Sequence, residues 1–290
     1  MPAPNVRARP PILRALGQND PPSVVTINGH AYQRIDVFKH DSWAATALYR
    51  GSSGDVVVKF HRQHPLGFFP AHWLGRYLAA RERRARDLLN GIPGIARDAG
   101  PVNVGGAPSP SATAHFYIEG RPLHMDDKPS AEFFARLQEM FAAMHFLGFA
   151  YVDFNKRENI IVTTDGAPAL VDFQLHFAPA RWSLKFLPVR LLLNALQSGD
   201  VYHLQKHKLW HRPDLVPAHE HNLSGQRPIA VQIWRSCTRP FILLRRRILV
   251  SFGIRTGHGL AVSEIAPEHA ARLSLQRRAA NPAARLPGEK

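Results

Sequence analysis

Apolar and polar positions divide the chain into a β-rich first part and a mainly helical later part. Runs of β-formers at residues 24–27 and 31–35 flank Asn28-Gly29-His30, and Asn-Gly between such runs is a strong hairpin signal. Residues 45–49 and 56–60, joined by the turn-rich residues 51–55, predict a second hairpin. Its last arm is β-branched and ends in Lys59 and Phe60, a pattern typical of a buried strand. We therefore expect antiparallel sheet in the first part of the chain.

Longer periodic segments follow. Residues 75–90 are rich in helix formers and are stopped by Gly91 and Pro93. Residues 100–111 predict a loop and residues 115–118 a strand. A helix is predicted from Ser130 to Phe146, ending at Gly148, because apolar residues recur at helical spacing. Its expected apolar face consists of Phe133, Phe134, Leu137, Phe141, Met144 and Leu147. Residues 159–172 predict a strand, an Asp-Gly turn and a second strand, and the chain after residue 177 looks mainly helical.

Positive charge is concentrated late in the chain. Residues 178–290 contain 18 of the 37 Lys and Arg residues but only 6 of the 22 acidic residues. Such a field favours phosphates, nucleic acid or an acidic membrane surface, and the alternative is a solvated basic face. Residues 233–250 mix bulky apolar residues with arginines. They predict either an interfacial membrane helix or a helix packed on the core with an exposed basic edge.

Cysteine and signal patterns bound the cellular environment. Cys237 is the only cysteine, which excludes an intrachain disulfide and a cysteine-based zinc site. Residues 1–22 contain six prolines, predict a disordered arm, and lack the apolar core of a secretory signal. The late apolar stretch at residues 241–252 is too short and too charged to cross a bilayer. We expect a cytoplasmic protein, with the inner face of the cytoplasmic membrane as an alternative location.

Oxygen ligands and a lysine suggest phosphoryl chemistry. Because the two arms of the 159–172 hairpin are antiparallel, we expect Asn159 and Asp172 to lie side by side, in the oxygen-only environment that Mg²⁺ prefers. Asp153 lies just upstream, on a loop that follows a long helix. Lys59 ends a buried strand, where its ammonium group could bind phosphate oxygens. Phosphoryl transfer requires such cations, a metal, and a group that orients the attacking hydroxyl.

Taken in order, residues 30–177 resemble the protein-kinase-like superfamily. The run 56–59 is similar to the strand that carries the ATP-binding lysine, and Glu82 is similar to its ion-pair partner. Residues 117–123, which include Glu119, resemble the hinge whose backbone meets adenine. Residues 144–153 resemble the helix and catalytic loop that end in the catalytic aspartate, and residues 171–173 resemble the metal-binding Asp-Phe segment.

Several departures narrow the resemblance. Tyr151-Val152-Asp153 replaces His-Arg-Asp, and five residues rather than four separate Asp153 from Asn159, which leaves Asn155 as the reserve metal ligand. Gln174 replaces the glycine after Asp-Phe, and no Ala-Pro-Glu segment follows. The phosphate-covering loop at residues 39–46, with Ser42 and Trp43, lacks glycine. The pattern is more similar to the bacterial lipopolysaccharide-kinase and RIO-like branches, in which Lys156 and Arg157 would stabilise charge on the transferring phosphoryl group.

The resemblance implies an α+β, two-lobed protein-kinase-like fold. An antiparallel N-lobe (residues 23–118) would follow the arm and precede a helical C-lobe (residues 119–263) and a basic tail (residues 264–290), with ATP in the cleft. Lys59, held by Glu82, would engage the phosphates, while Asn159 and Asp172 would hold Mg²⁺ or Mn²⁺. Asp153 would orient or deprotonate a hydroxyl acceptor.

The acceptor and the class of activity stay open at this stage. A sugar or lipopolysaccharide-type glycan at the inner membrane surface is the first candidate for the acceptor, and the alternative enzyme is a RIO-like serine/threonine protein kinase. A non-catalytic kinase-like scaffold that binds anionic lipid or nucleic acid is the third interpretation, which the intact acidic and lysine set disfavours.

One further pattern concerns metal binding. His203, His207 and His211 recur at intervals of four and resemble metal-ligand spacing. Without a nearby carboxylate cluster, a polar helix face or a phosphate-contacting surface is the preferred interpretation.

Overall fold

The chain adopts an α+β fold with antiparallel sheets. The structure, a computed structural model, describes residues 10–65, residues 70–220 and seven further positions between residues 228 and 251. The described residues divide into two compact units. The first unit comprises the described residues of Met1–Ala79, Ala99–Tyr117 and Val250–Lys290, and the second comprises those of Ala80–Asp98 and Ile118–Leu249. Most of the predicted interfacial segment at residues 233–250, and all of the predicted tail at residues 264–290, lie outside the described residues.

The first unit is built on a seven-stranded sheet with the order β6-β5-β1-β2-β3-β4-β7. The strands are β1 (Val24–Ile27), β2 (His30–His40), β3 (Ala44–Gly51), β4 (Gly54–His61), β5 (Val102–Val104), β6 (Ala107–Pro108) and β7 (Ala112–Phe116). Every pairing between neighbours is antiparallel. The predicted loop at residues 100–111 therefore contains two short strands, because β5 pairs with β1 and β6 pairs with β5 at the sheet's edge.

Both predicted hairpins are confirmed. Ile27 pairs with His30, so the first turn consists of Asn28 and Gly29, whose φ angles are 49° and 82°. Two consecutive positive φ angles characterise the turn type that Asn-Gly favours, because its twist matches that of the strands. In the second hairpin Gly51 pairs with Gly54. Its last strand, β4, lies between β3 and β7 and is buried over most of its length.

Part of the predicted disordered arm is instead packed on the sheet of the first unit. Ala15 is fully buried, its N–H donates to Asp41 O at 2.7 Å, and its carbonyl accepts from the N–H groups of Gln63 and His64. The proline-rich composition suggested disorder, but prolines lack only the donor and can still flank a segment that is anchored through its other backbone groups. Residues 1–9 lie outside the described residues.

The second unit combines helices with a three-stranded sheet of order β10-β9-β8. Its strands are β8 (Gly120–Pro122), β9 (Ile160–Thr163) and β10 (Pro168–Leu170), and its helices are α2 (Ala131–Phe146) and α3 (Leu187–His211). A further helix, α1 (His72–Leu88), begins in the first unit and ends in the second. The predicted hairpin at residues 159–172 and the helices predicted at residues 75–90 and 130–146 are thus present.

Helix α2 forms the centre of the core of the second unit. The Ser130 hydroxyl accepts from Phe133 N at 3.1 Å and caps its start. At its end Gly148 has a φ of 75°, and Phe149 N donates to Met144 O at 3.0 Å, which closes the helix in a Schellman motif. The fully buried residues of the helix are Phe133, Phe134, Leu137, Met140, Phe141 and Met144. Five of the six positions on the predicted apolar face are therefore buried, and Leu147 packs at its margin.

Candidate active site

The hairpin of β9 and β10 brings Asn159 and Asp172 to its open end. Ile160 pairs with Leu170 at the end of the ladder, and Val171 N donates to Asn159 O at 3.1 Å. The two predicted metal ligands therefore flank the same end of one hairpin, as antiparallel pairing requires. Asn159 is 5% exposed, so its amide is directed by the surrounding protein and not by bulk water.

Asp153 forms hydrogen bonds with two of the other predicted site residues. Lys156 Nζ donates to Asp153 Oδ2 at 2.7 Å, and Asn159 Nδ2 donates to the same oxygen at 3.3 Å and to Asp153 O at 3.2 Å. The six-residue spacing from Asp153 to Asn159 is therefore compatible with direct contact. The reserve candidate, Asn155, instead accepts from Lys206 Nζ at 2.8 Å.

Burial and neighbouring charges shift the pKa values of both Asp153 and Lys156. Burial raises the pKa of Asp153, and although Lys156 opposes this effect, the negative charge of Asp172 adds to it. Burial alone would lower the pKa of Lys156, but the charge and hydrogen bond of Asp153 outweigh it and raise that pKa. The Asp153 side chain is 14% exposed and the Lys156 side chain is 52% exposed. Asp153 is therefore a stronger proton acceptor than a surface aspartate.

Asp200 holds the loop that carries Asp153. Its two carboxylate oxygens accept from Tyr151 N and Val152 N, each at 2.8 Å, and His145 Nε2 lies 3.2 Å from Oδ2. Asp200 is 0% exposed. Val152 has a φ of 68°, a left-handed conformation that a β-branched residue adopts only when its surroundings require it. The hydrogen bonds from Tyr151 N and Val152 N to Asp200 hold Val152 in this conformation.

Sequence reasoning missed Asp200. The available signal was its isolation: it is the single acidic residue between residues 178 and 213, in a segment that is otherwise basic and apolar. An aspartate is seldom fully buried unless it is paired, so this isolation was a weak signal that the sequence alone could not turn into a prediction.

Tyr151 connects the loop that carries Asp153 to the strand that leads to Asp172. Its hydroxyl donates to Val171 O, and its ring packs edge-on against Phe173 with centroids 5.3 Å apart. Burial raises the pKa of Tyr151 far above its usual value, and the charges of Asp172, Asp153 and Asp200 add to this effect. Asp172 itself has a φ of 64°. The charge of Glu82 adds to the same effect, so four carboxylates raise the pKa of one buried phenol.

The donors at this point fit a hard divalent cation. Asp153 and Asp172 supply carboxylate oxygens, and Asn159 Oδ1 accepts no hydrogen bond from the described residues, since only its Nδ2 is bonded. Mg²⁺ takes few protein ligands and retains waters, so one carboxylate and one amide oxygen are sufficient protein donors. Within residues 10–65 and 70–220 no group of three or more His, Cys, Asp or Glu residues is arranged to hold a metal.

Arg157 is directed differently from Lys156. Its Nη1 is buried without a hydrogen-bond partner in the described chain, and its charge lowers the pKa of His211, together with the burial that is the main cause. Lys156 therefore contacts Asp153, whereas Arg157 faces the side of α3.

Lys59 and Glu82 belong to different units. Lys59 is buried on β4, where it pairs with Thr46 on one side and Thr113 on the other. Glu82 is buried in the second unit and accepts from Arg86 Nη2 at 2.6 Å, the i+4 pairing that the helix allows. Glu119 is exposed, and its carbonyl accepts from Thr164 N at 3.3 Å. The predicted grouping of these three residues around a nucleotide stays a prediction.

The predicted phosphate-covering loop is a tight, capped turn. Asp41 Oδ1 accepts from Trp43 N at 2.7 Å and from Ala44 N at 2.9 Å. Burial opposes ionisation of Asp41, but Lys39 and these backbone donors outweigh it and lower its pKa to about 2. Ser42 Oγ donates to Leu13 O at 3.0 Å. The side chain of Asp41 thus supplies the rigidity of a loop that lacks glycine.

The histidine series on α3 is structural, which corrects the predicted polar or phosphate-contacting face. His207 Nε2 lies 2.8 Å from Phe154 O, and His211 Nδ1 lies 2.9 Å from Asp127 O. Both rings are buried, and burial lowers the pKa of His207 to about 4. The i, i+4 spacing therefore marks the face of α3 that packs on the loop after Asp153.

Comparisons with known proteins add no family assignment. No model of a known protein family matches the chain, and no curated protein matches it significantly. Among the described residues, no helix has both the length and the apolar character needed to cross a bilayer.

Proposed function

We propose that the protein is an ATP- and Mg²⁺-dependent kinase that transfers a phosphoryl group to a hydroxyl acceptor. The observation that carries the proposal is the grouping of Asp153, Lys156, Asn159 and Asp172 in the second unit, within hydrogen-bond or charge contact of one another. A general base, a cation and two oxygen ligands are the parts that phosphoryl transfer requires of a protein.

Asp153 would accept or orient the proton of the attacking hydroxyl. Its raised pKa favours proton acceptance, because a general base works best when its pKa approaches the operating pH. Lys156, already paired with Asp153, would stabilise negative charge on the transferring group. The Asp200 carboxylate holds the backbone of Tyr151 and Val152, the two residues before Asp153, so that Asp153 would reorganise little during the reaction.

Asn159 and Asp172 would hold Mg²⁺, and Lys59 is the proposed ligand for phosphate oxygens. The bound cation would neutralise charge on the phosphates of ATP. Asn159 Oδ1 is free of hydrogen bonds from the described chain and can therefore bind a cation without breaking an existing contact. The acceptor that we propose first is a sugar or glycan hydroxyl, with a serine or threonine side chain as the alternative.

The proposal is tested with Asp172→Asn and Asp153→Asn. The matched control is Asp165→Asn, which removes an exposed carboxylate from the turn of the same hairpin. We expect Mg·ATP to raise the melting temperature of the wild type and the control but not of Asp172→Asn. We expect Asp153→Asn to bind Mg·ATP yet lose phosphoryl transfer by about 10²–10⁴-fold.

Transfer is measured by incubating each protein with γ-labelled ATP and Mg²⁺ in a cell lysate that is then fractionated. Label in the lipid and glycan fraction supports a glycan acceptor, and label on polypeptide supports a protein acceptor. Equal Mg·ATP stabilisation of wild type and Asp172→Asn would refute the metal assignment. If the wild type shows neither ATP-dependent stabilisation nor label transfer, the kinase proposal is wrong.

A further inference from the structure

A second polar site lies within the first unit. A cavity of about 200 Å³ opens between the start of α1, the chain after β4 and the segment between β5 and β7. Five of the residues that line it are polar: Gln63, His72, Arg76, Ser109 and Ser111. None of the residues proposed for catalysis or for nucleotide binding lines this cavity.

The polar side chains of the cavity lack partners in the described chain. Ser111 is 7% exposed, and its carbonyl accepts from His61 N at 2.9 Å, but its hydroxyl forms no hydrogen bond with any described residue. The half-buried Gln63 and Ser109 and the exposed His72 and Arg76 also form no side-chain hydrogen bond with described residues. Buried polar groups are normally paired, so the unpaired hydroxyl of this nearly buried residue at the cavity wall is available to a ligand that enters the cavity.

The charge of the cavity selects for an anion. Arg76 contributes a permanent positive charge, and the wall contains no Asp or Glu residue among those described. His72 is the first residue of a 17-residue helix whose first turn contains no acidic residue, so the unpaired N–H groups and positive dipole end of the helix are not neutralised locally.

Close packing fixes the position of the helix start. A Cβ atom at Gly75 would lie only 2.1 Å from Arg62 O, so only glycine allows the first turn of α1 to approach the end of β4 this closely. Gly75 N donates to Ala71 O at 3.1 Å and begins the helix there. The approach holds Gln63, which follows β4, and Arg76, which follows Gly75, at the wall of one cavity.

We propose that this cavity binds a phosphate group, either as inorganic phosphate or as the phosphate of a phosphorylated compound. Arg76 would pair with two oxygens, since its planar guanidinium matches this geometry. The Ser109 and Ser111 hydroxyls and the Gln63 amide would donate from the opposite wall, and the amino-terminal end of α1 would add its dipole. Donors that converge from several sides suit a tetrahedral anion. The inference does not depend on the proposed kinase activity.

The site is tested by titrating sodium phosphate against sodium chloride at equal ionic strength, with calorimetry and thermal melting as readouts. The variants are Arg76→Gln and Ser111→Ala. The matched control is Arg84→Gln, which removes the same charge from a likewise exposed position two turns later on the same helix, outside the cavity wall. We expect wild type and Arg84→Gln to bind phosphate alike, and both cavity variants to bind at least about tenfold more weakly, since each loses a charge-assisted hydrogen bond.

Two further arms separate this site from the nucleotide site and identify the phosphate source. Lys59→Met should retain the phosphate response. If it loses that response while Arg76→Gln keeps it, phosphate binds at the proposed nucleotide site and the inference is wrong. No response beyond that to chloride would also overturn it. Tighter binding of O-phosphoserine than of inorganic phosphate would support a phosphorylated compound as the ligand, and the reverse order would support free phosphate.

Ser111→Ala removes only one oxygen atom, so its melting temperature without ligand shows whether the cavity is still folded.

Discussion

Replacing Asp200 by asparagine tests whether one buried carboxylate holds the loop that carries Asp153. The substitution preserves size, so it opens no cavity, but it removes the charge and replaces one acceptor oxygen by an NH₂ donor. One of the two amides, Tyr151 N or Val152 N, then faces a donor at a site that is 0% exposed. No rotation of the side-chain amide satisfies both backbone groups.

The magnitude follows from the contacts that are lost. An unsatisfied buried donor costs about 1–3 kcal/mol, and the remaining hydrogen bond is weakened by about 1 kcal/mol when its acceptor becomes neutral. The expected loss in the free energy of unfolding is therefore about 2–4 kcal/mol, which lowers the folding equilibrium constant by roughly 30- to 1,000-fold.

The assay has a global and a local readout. Urea unfolding followed by circular dichroism measures the loss in stability, and hydrogen exchange of residues 148–156 measures opening of the loop. Asp214→Asn is the control, because Asp214 is an exposed carboxylate that pairs with Arg212 at the surface. We expect the control to resemble the wild type in both measurements. A stability change below about 1 kcal/mol in Asp200→Asn, with unchanged exchange at Tyr151 and Val152, would refute the anchoring role.

Three further predictions concern the framework of the two units. Phe141→Ala should destabilise the protein by about 3–5 kcal/mol, because Phe141 is 2% exposed. Phe146→Ala should change stability by less than about 0.5 kcal/mol, because Phe146 on the same helix is 90% exposed. Equal urea midpoints for the two variants would contradict the described core. Gly29→Ala should cost about 1 kcal/mol through its positive φ alone, because nothing lies within 4 Å of an added Cβ; an unchanged midpoint would contradict the described turn. Burial lowers the pKa of His207 to about 4 in the folded state, so the unfolded state binds more protons and the free energy of unfolding should fall as the pH drops from about 6.5 to 4. His207→Gln should make the free energy of unfolding less dependent on pH over this range. An identical pH profile for the variant and the wild type would refute the lowered pKa.

Local sequence signals predicted the elements that local geometry can determine. Asn28-Gly29 specifies a two-residue turn because both residues tolerate positive φ, and flanking β-formers then have a fixed register. The face of α2 was predictable because helical periodicity does not depend on which partner covers it. The hairpin of residues 159–172 was predictable from its Asp-Gly turn between two apolar strands, and its antiparallel register brings Asn159 and Asp172 to one end.

Tertiary packing decided the features that depend on long-range contacts. Asp200 reaches Tyr151 and Val152 across 48 or 49 residues, and no local pattern encodes such a pairing. The histidines on α3 have metal-like spacing, yet burial against Phe154 and Asp127 gives them a structural role. Residues 10–22 have the composition of a disordered arm but become ordered because the sheet of the first unit offers partners for their backbone groups.

The sequence alone therefore determined the local helices, strands and turns, since turn residues and side-chain periodicity act over a few positions. It also determined that carboxylate, ammonium and amide groups lie close together in the chain near Asp153. Only the tertiary structure decided which buried carboxylate supports the loop that carries Asp153 and which polar residues surround the cavity beside α1. The physical reason is that desolvation, hydrogen-bond partnership and charge coupling belong to positions in space. Residues distant along the chain acquire these properties only when folding brings them together.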